Sequence, residues 1–174
     1  MKKTIFLFLV MIFTYVIIGN VIATNDLIPD EAIRIRVIAN SNSEYDQEIK
    51  YKVKEEIEYD MYNLLKNTTD LEEARNLIKN NLSSVEENID TVLQNEGYKL
   101  PFRITFGLNY FPEKEFKGVT YKEGYYESVV VTLGDGLGEN WWCVLFPPLC
   151  MIEAEESTDV EYTTMVKTII DKYF

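Results

Sequence analysis

The chain has no histidine, and that one absence removes much of the chemistry open to a protein of its size. Without imidazole there is no Ser/His/Asp or Cys/His relay and no imidazole ligand for a metal ion. Cysteine is nearly as scarce. Cys143 and Cys150 are the only two, too few for a four-thiolate zinc site, and their spacing is not the CxxC of a redox dithiol. Basic residues are outnumbered, 17 against 29 acidic, for a formal charge of −12 at pH 7. Nucleic-acid binding rests on Lys and Arg neutralising phosphates and is disfavoured, as is simple electrostatic docking on anionic lipid. Glycine is sparse, and the run Gly134-Asp135-Gly136-Leu137-Gly138-Glu139 is a poor phosphate cradle. The third glycine of GxGxxG would fall on Glu139, and no Lys-Ser/Thr follows for a P-loop. Asp135, Glu139 and Asn140 could hold Ca²⁺, but without EF-hand spacing they read as a solvated turn. No cofactor and no metal site is expected. A paired-carboxylate glycosidase stays open, because 29 acids offer many pairs and mark out none.

What is present supports an exported domain. With 47% apolar residues the chain can bury a sizeable core, which argues against disorder. Met1-Lys2-Lys3 and the apolar-type run Ile5 to Ile18 read as the charged and hydrophobic parts of an export signal, with Val21-Ile22-Ala23 as a small-residue cleavage site. An uncleaved anchor is the alternative, since the run continues to Ala23 at close to the length of a spanning helix. Either way, the chain beyond Thr24 is expected outside the cytoplasm, where cysteines can oxidise. The organisation expected is a signal or membrane anchor over 1–23, a linker over 24–32, one α+β domain over 33–152, and an acidic linker with a C-terminal amphipathic helix over 153–174.

Periodicity sets the elements. Ile33, Ile35, Val37 and Ala39 alternate with Arg34 and Arg36, a half-buried first strand. Ser43 with Asp46 resembles a capping box before a helix whose stripe is Ile49, Val53, Ile57, Met61 and Leu64 or Leu65, with Lys50, Lys54, Glu55 and Glu58 facing water. Thr69 with Glu72 opens a second helix through Leu71, Ala74, Leu77 and Ile78. Asn80-Asn81 and a fresh box at Ser83 and Glu86 predict a break near Asn81. The stripe resumes with Val85, Ile89, Val92 and Leu93, and Gly97 is placed to end it in a left-handed conformation. Tyr98 to Gly107 and Tyr126 to Leu133 read as strands. Between them Tyr110, Phe111, Phe116, Tyr121, Tyr125 and Tyr126 form either a wide hairpin packed on its own aromatics or a partner surface. Thr158 with Glu161 opens a last helix bearing Tyr162, Met165, Val166, Ile169, Ile170 and Tyr173 on one face. This order predicts an α+β fold with a small antiparallel sheet of about three strands and helices packed on one face.

The stretch Gly134 to Ile152 is the most unusual. Pro147-Pro148 removes two backbone donors, so the apolar run from Trp141 must turn there. The run from Trp141 to Ile152 has no charge and no hydroxyl, and so it either packs on the core or meets another surface. The reading is of a loop that leaves the third strand and folds back. Six residues separate Cys143 and Cys150; a disulfide between them suits the turn and the compartment and would contribute about 2.5 kcal/mol by loop closure. Free buried thiols are the alternative. Aromatics on a stiffened loop suit an interface hot spot, and Asn140, Trp141, Trp142, Phe146, Pro147 and Pro148 are the candidate partner-binding residues. Capping of the core by Trp141, Trp142 and Phe146 is the competing role.

Two strings carry a family resemblance. Asn140-Trp141-Trp142-Cys143-Val144-Leu145-Phe146-Pro147-Pro148-Leu149-Cys150 and Arg34-Ile35-Arg36-Val37-Ile38-Ala39-Asn40-Ser41 resemble the stage II sporulation protein R family of endospore-forming bacteria. The resemblance extends from about Ile33 to Cys150. It implies a non-enzymatic signal made in the forespore and exported into the space between the forespore and mother-cell membranes. There it would activate a membrane-embedded aspartic protease that processes the precursor of sigma-E. An envelope-acting hydrolase or peptidoglycan-binding domain is the alternative. For the cysteine pair, alkylation and mass measurement of the exported protein are expected to find no free thiol; two labelled cysteines would contradict the pairing.

Overall fold

In a computed structural model the described residues are 11, 31–116, 119–149 and 159–173. All of the expected export signal but Met11, with Cys150, the Thr158 cap and nearly all of the acidic linker, lies outside them. The elements are β1 (Ile33–Ile38), α1 (Glu44–Leu65), α2 (Leu71–Asn95), β2 (Phe102–Phe111), β3 (Lys114–Phe116), β4 (Val119–Tyr121), β5 (Gly124–Leu133), β6 (Asn140–Phe146) and α3 (Asp159–Tyr173).

The fold is α+β as expected, but the sheet differs from expectation in two ways. It has four strands in the order β2-β5-β1-β6 rather than about three. It is also mixed: β1 pairs β5 in parallel, while β2 with β5 and β6 with β1 are antiparallel. The parallel pair is possible because the chain between β1 and β5 contains two long helices and a hairpin, ample for a crossover. The fourth strand is the segment expected to leave the sheet as a loop. Its apolar residues alternate well enough for an edge strand, and proline begins only after Phe146, where pairing has ended. The chain turns at Pro147-Pro148 as the sequence indicates.

One face of the sheet, carrying Ile35 and Val37, Val129 and Val131, Ile104 and Phe106, and Trp141 and Leu145, packs under α1 and α2. The helices present the expected stripes: Ile49, Val53, Ile57, Met61 and Leu65 from α1, and Ala74, Ile78, Val85, Ile89 and Leu93 from α2. Ser43 caps α1, its side chain accepting from the Asp46 N–H at 3.2 Å. Gly97, at φ 68°, follows α2 as expected.

Three local expectations are corrected. The N-cap of α2 is Asp70, which accepts from the Glu73 N–H at 2.8 Å, not Thr69. No break occurs at Asn81. The α2 stripe stays in phase across it, so core packing outweighs the modest helix preference of Asn, whose side chain donates back to the Leu77 carbonyl at 2.8 Å. Lys50, expected in water, is 2% exposed. Its ammonium donates to the Gln47 side chain and to the Glu139 carbonyl, because the β5–β6 turn folds over it. That burial lowers its pKa.

On the other face lie Arg34, Arg36, Tyr126, Ser128, Val130, Trp142 and Val144, which alternate with the helix-side residues. α3 packs Val166 and Ile170 against Ala32, Val144 and Leu149, and Tyr173 meets Phe146 edge-on at 5.3 Å.

A polar clasp joins the start of α1 to the β5–β6 turn. The Asp46 carboxylate accepts from Ser41 Oγ and from Asn40 Nδ2 at 2.9 Å. Asn40 Oδ1 in turn accepts from the Asp135 N–H at 3.0 Å, and Asn42 Oδ1 from the Glu139 N–H at 2.7 Å. The glycine run is explained here. A Cβ on Gly138 would sit 2.3 Å from the Ser41 carbonyl oxygen, so glycine lets the turn close on β1. The hydrogen bond from Ser41 Oγ, followed by those from Asn40 and Ser43, holds the Asp46 carboxyl below its ordinary range, against the effect of burial. A depressed carboxyl stabilises the fold above its unfolded pKa of about 3.9 and loses that contribution as pH falls through the folded value. Asp46→Asn is therefore expected to cost about 1–3 kcal/mol at pH 7, and the gap in Tm from wild type should close as the pH drops below about 4. A gap independent of pH would show that the ionised form is not what stabilises the clasp.

Candidate functional site

The six candidate residues lie on β6 and in the turn after it, but not as a protruding loop. Among the described residues β6 is the last strand in the sheet order, paired with β1. Phe146 is 1% exposed and Pro147 is buried, so these two serve the core, whereas Asn140, Trp141, Trp142 and Pro148 are half-buried. Because the segment is extended, the adjacent tryptophans point to opposite faces. Trp141, opposite Val37, packs on the helix-side core with the Lys54 ammonium 5.5 Å from its ring centroid. Trp142, opposite Arg36, meets Phe111 edge-on at 5.3 Å. Cys143 packs against the helix-side core, and its expected partner Cys150 lies outside the described residues.

The sequence reading missed the cations around Trp142. The Arg36 guanidinium lies 5.5 Å from the Trp142 ring and 5.8 Å from Phe111, and the Lys114 ammonium lies 5.0 Å from the Trp142 ring. Neighbouring Arg34 is 3% exposed and stacks on Tyr126 at 3.2 Å. Burial lowers the pKa of Arg36. The available signal was the Arg34/Arg36 alternation, which reads as a solvated strand face unless one knows that an aromatic strand and a hairpin meet it.

Two apolar features flank this strand. A cavity of about 380 Å³ opens at its C-terminal end between Tyr59, Met61, Tyr62 and Leu65 of α1, Leu145 and Pro148, and Tyr173 of α3. On the β2–β5 arm Leu108, Tyr110 and Tyr125 are exposed. The hairpin reading of the 109–124 connection holds for β3 and β4, which pair antiparallel. Its aromatics divide, with Phe111 and Tyr126 buried together and Tyr110 and Tyr125 stacked edge-on at the surface.

Among the described residues no group of three His, Cys, Asp or Glu side chains could hold a metal ion, and no helix is long and apolar enough to cross a membrane. The arrangement offers aromatic rings held rigid by strand pairing on the last strand of the described sheet order.

Known proteins match the same region. The family model described as stage II sporulation protein R matches residues 29–156, which take in every strand of the sheet together with α1 and α2. Stage II sporulation protein R of Bacillus subtilis (strain 168) is 38% identical over 127 residues, covering 73% of this chain and 57% of that protein. The chain thus spans little more than half the length of this curated relative. No solved structure matches.

Packing separates the candidates by their effect on stability. Trp141→Ala is expected to cost about 2–3 kcal/mol, below the ~3–5 of a fully buried aromatic, and Pro148→Ala under about 1 kcal/mol. Denaturant titration checks both. A Trp141→Ala variant as stable as wild type would mean that this ring is free to serve a partner.

Proposed function

The chain belongs to the stage II sporulation protein R family, and on that premise we propose that it is an exported, non-enzymatic sporulation signal. In this reading it leaves the forespore, occupies the intermembrane space and engages a membrane-embedded aspartic protease, which then processes the sigma-E precursor. The observation that carries the proposal is the family match across the whole sheet and its two long helices. The lack of histidine supports it, since the commonest hydrolytic relays cannot be built from this chain. Further support comes from β6, the last strand in the described sheet order, where Trp142 and, in the turn after it, Pro148 are half-buried and can bury area against a partner with little ordering cost. A Cys143–Cys150 disulfide would brace the turn that follows this strand.

Co-expression tests the reading. Precursor cleavage is expected only when this chain and the protease are both present, and Trp142→Phe, which keeps a large aromatic ring, should retain more of it than Trp142→Ala at matched Tm. A chain that leaves the precursor intact but binds or degrades peptidoglycan would replace this function with an envelope-acting one.

A further inference from the structure

We infer that two copies of this chain join edge to edge through β2, about a two-fold axis near Thr105, with their α2 helices meeting side by side. The inference goes beyond the proposed function and does not depend on it.

The strand supplies the first observation. β2 has β5 on one side and, among the described residues, no strand on the other. Its helix-side face is poorly covered. Phe102, Ile104 and Phe106 pack on the core yet are only half-buried, and Leu108 and Tyr110 continue that face in the open, Leu108 at 74% exposure. Leu100, just before the strand, is exposed as well. A long edge with an open apolar face is a template for a further strand.

The helix supplies the second. Arg75 of α2 holds the Glu127 carboxylate, with Nε 2.7 and 2.9 Å from its oxygens, and Glu127 pairs with Leu108. The flank of α2 that carries Arg75 therefore faces the β2 side of the sheet. Lys79, Leu82 and Glu86 follow Arg75 on that flank at spacings of four, three and four residues. Leu82 is half-buried. Lys79 and Glu86 are exposed, and neither has an ion-pair partner among the described residues.

Charge complementarity selects a second copy as the occupant. The stripe reads cation, apolar, anion. Reversed about a point between Leu82 and Ser83, it sets Lys79 of each copy against Glu86 of the other, with Leu82 at the centre. The strand reverses at the same level. α2 and β2 run antiparallel, joined by the short segment 96–101. The centre of the stripe lies about 11 Å beyond Arg75 at about 1.5 Å per residue, which along a strand is three to four positions from Leu108, at Thr105. An axis there pairs Thr105 with itself, Ile104 with Phe106 and Phe102 with Leu108, and brings Tyr110 toward Leu100. Arg103, the one charged residue of β2, falls opposite Gly107, where a Cβ would meet nothing within 4 Å, so its side chain has room on the far face.

The layer spacing agrees. α2 touches β2 and reaches β5 through Arg75. With strands about 4.8 Å apart, a helix over the β5–β2 gap would lie about 10 Å from its copy, the separation of packed helices. The charge of −12 on each copy opposes association, and the two Lys79–Glu86 pairs offset it locally. β6 ends the joined sheet on both sides, so Trp142 and Pro148 stay clear of the second copy.

Sedimentation velocity of the full chain over a concentration series tests the inference, with amide NMR shifts to locate the contact. A reversible monomer–dimer equilibrium is expected, with shifts along β2 and α2. Leu108→Lys, at a position already open to water, should weaken dimerisation about tenfold or more without lowering Tm. Lys79→Glu alone and Glu86→Lys alone should each weaken it about tenfold, because symmetry repeats the pair. Mixed in equal amounts, these two variants should associate as tightly as wild type, since each then meets an opposite charge at both contacts. Tyr59→Lys on exposed α1 should leave the equilibrium unchanged. A chain that stays monomeric, a dimer indifferent to Leu108→Lys, or charge variants that fail to associate when mixed would overturn the inference. So would a dimer broken by Tyr59→Lys, which would move the contact to α1.

Discussion

The whole structure depends on the burial of β1 from every side. Its backbone is paired along both flanks, parallel to β5 and antiparallel to β6, so neither edge of the strand is left to water. Its helix-side residues Ile33, Ile35 and Val37 are fully buried beneath α1 and α2. A strand enclosed in this way ordinarily reads as a continuous apolar run. This one places arginines at alternate positions, and a buried guanidinium is costly unless its surroundings accept it. Aromatic faces from β5, β6 and the β2 end supply that acceptance. The far face of the sheet is therefore a layer of arginine and aromatic rings, in place of a second aliphatic core.

The clasp between Asn40 and Asp46 fixes how the last strand arrives. Side chains of the β1–α1 turn take up backbone N–H groups of the β5–β6 turn, and the glycines there let the two backbones close to contact. One short motif thus does three things: it ends β1, caps α1 and holds the turn that delivers β6 to the sheet edge. Asn40, Asn42 and Asp46 thus have structural partners in this region.

What this delivers is a strand whose two tryptophans serve opposite sides of the sheet. Trp141 completes the helix-side core, while Trp142 carries two cations on the opposite face. The core role and the role proposed in recognition fall on adjacent residues because a pleated strand alternates its side chains. The surface on offer is rigid, since the rings are set by strand pairing and not by a mobile loop. Rigidity of that kind lowers the entropy lost on binding.

The sequence alone determined the elements whose signals are local. The stripes of α1 and α2, the Ser43 cap, the left-handed Gly97 and the hairpin all follow from spacing within a few residues, because helix period, capping and turn chemistry are short-range physics. The export signal expected over Met1 to Ala23 and the pairing expected between Cys143 and Cys150 turn on residues outside those described, such as Cys150. The tertiary structure decided the rest. That β1 lies parallel to β5, that the Trp141 to Phe146 run joins the sheet, that α2 runs through Asn81 and that Lys50 is buried each depend on partners far along the chain. The cationic setting of Trp142 has the same origin: Arg36, the segment holding Phe111 and Lys114, and Trp142 are distant in sequence, and only tertiary pairing, which carries no local signature of its partner, brings them to one ring.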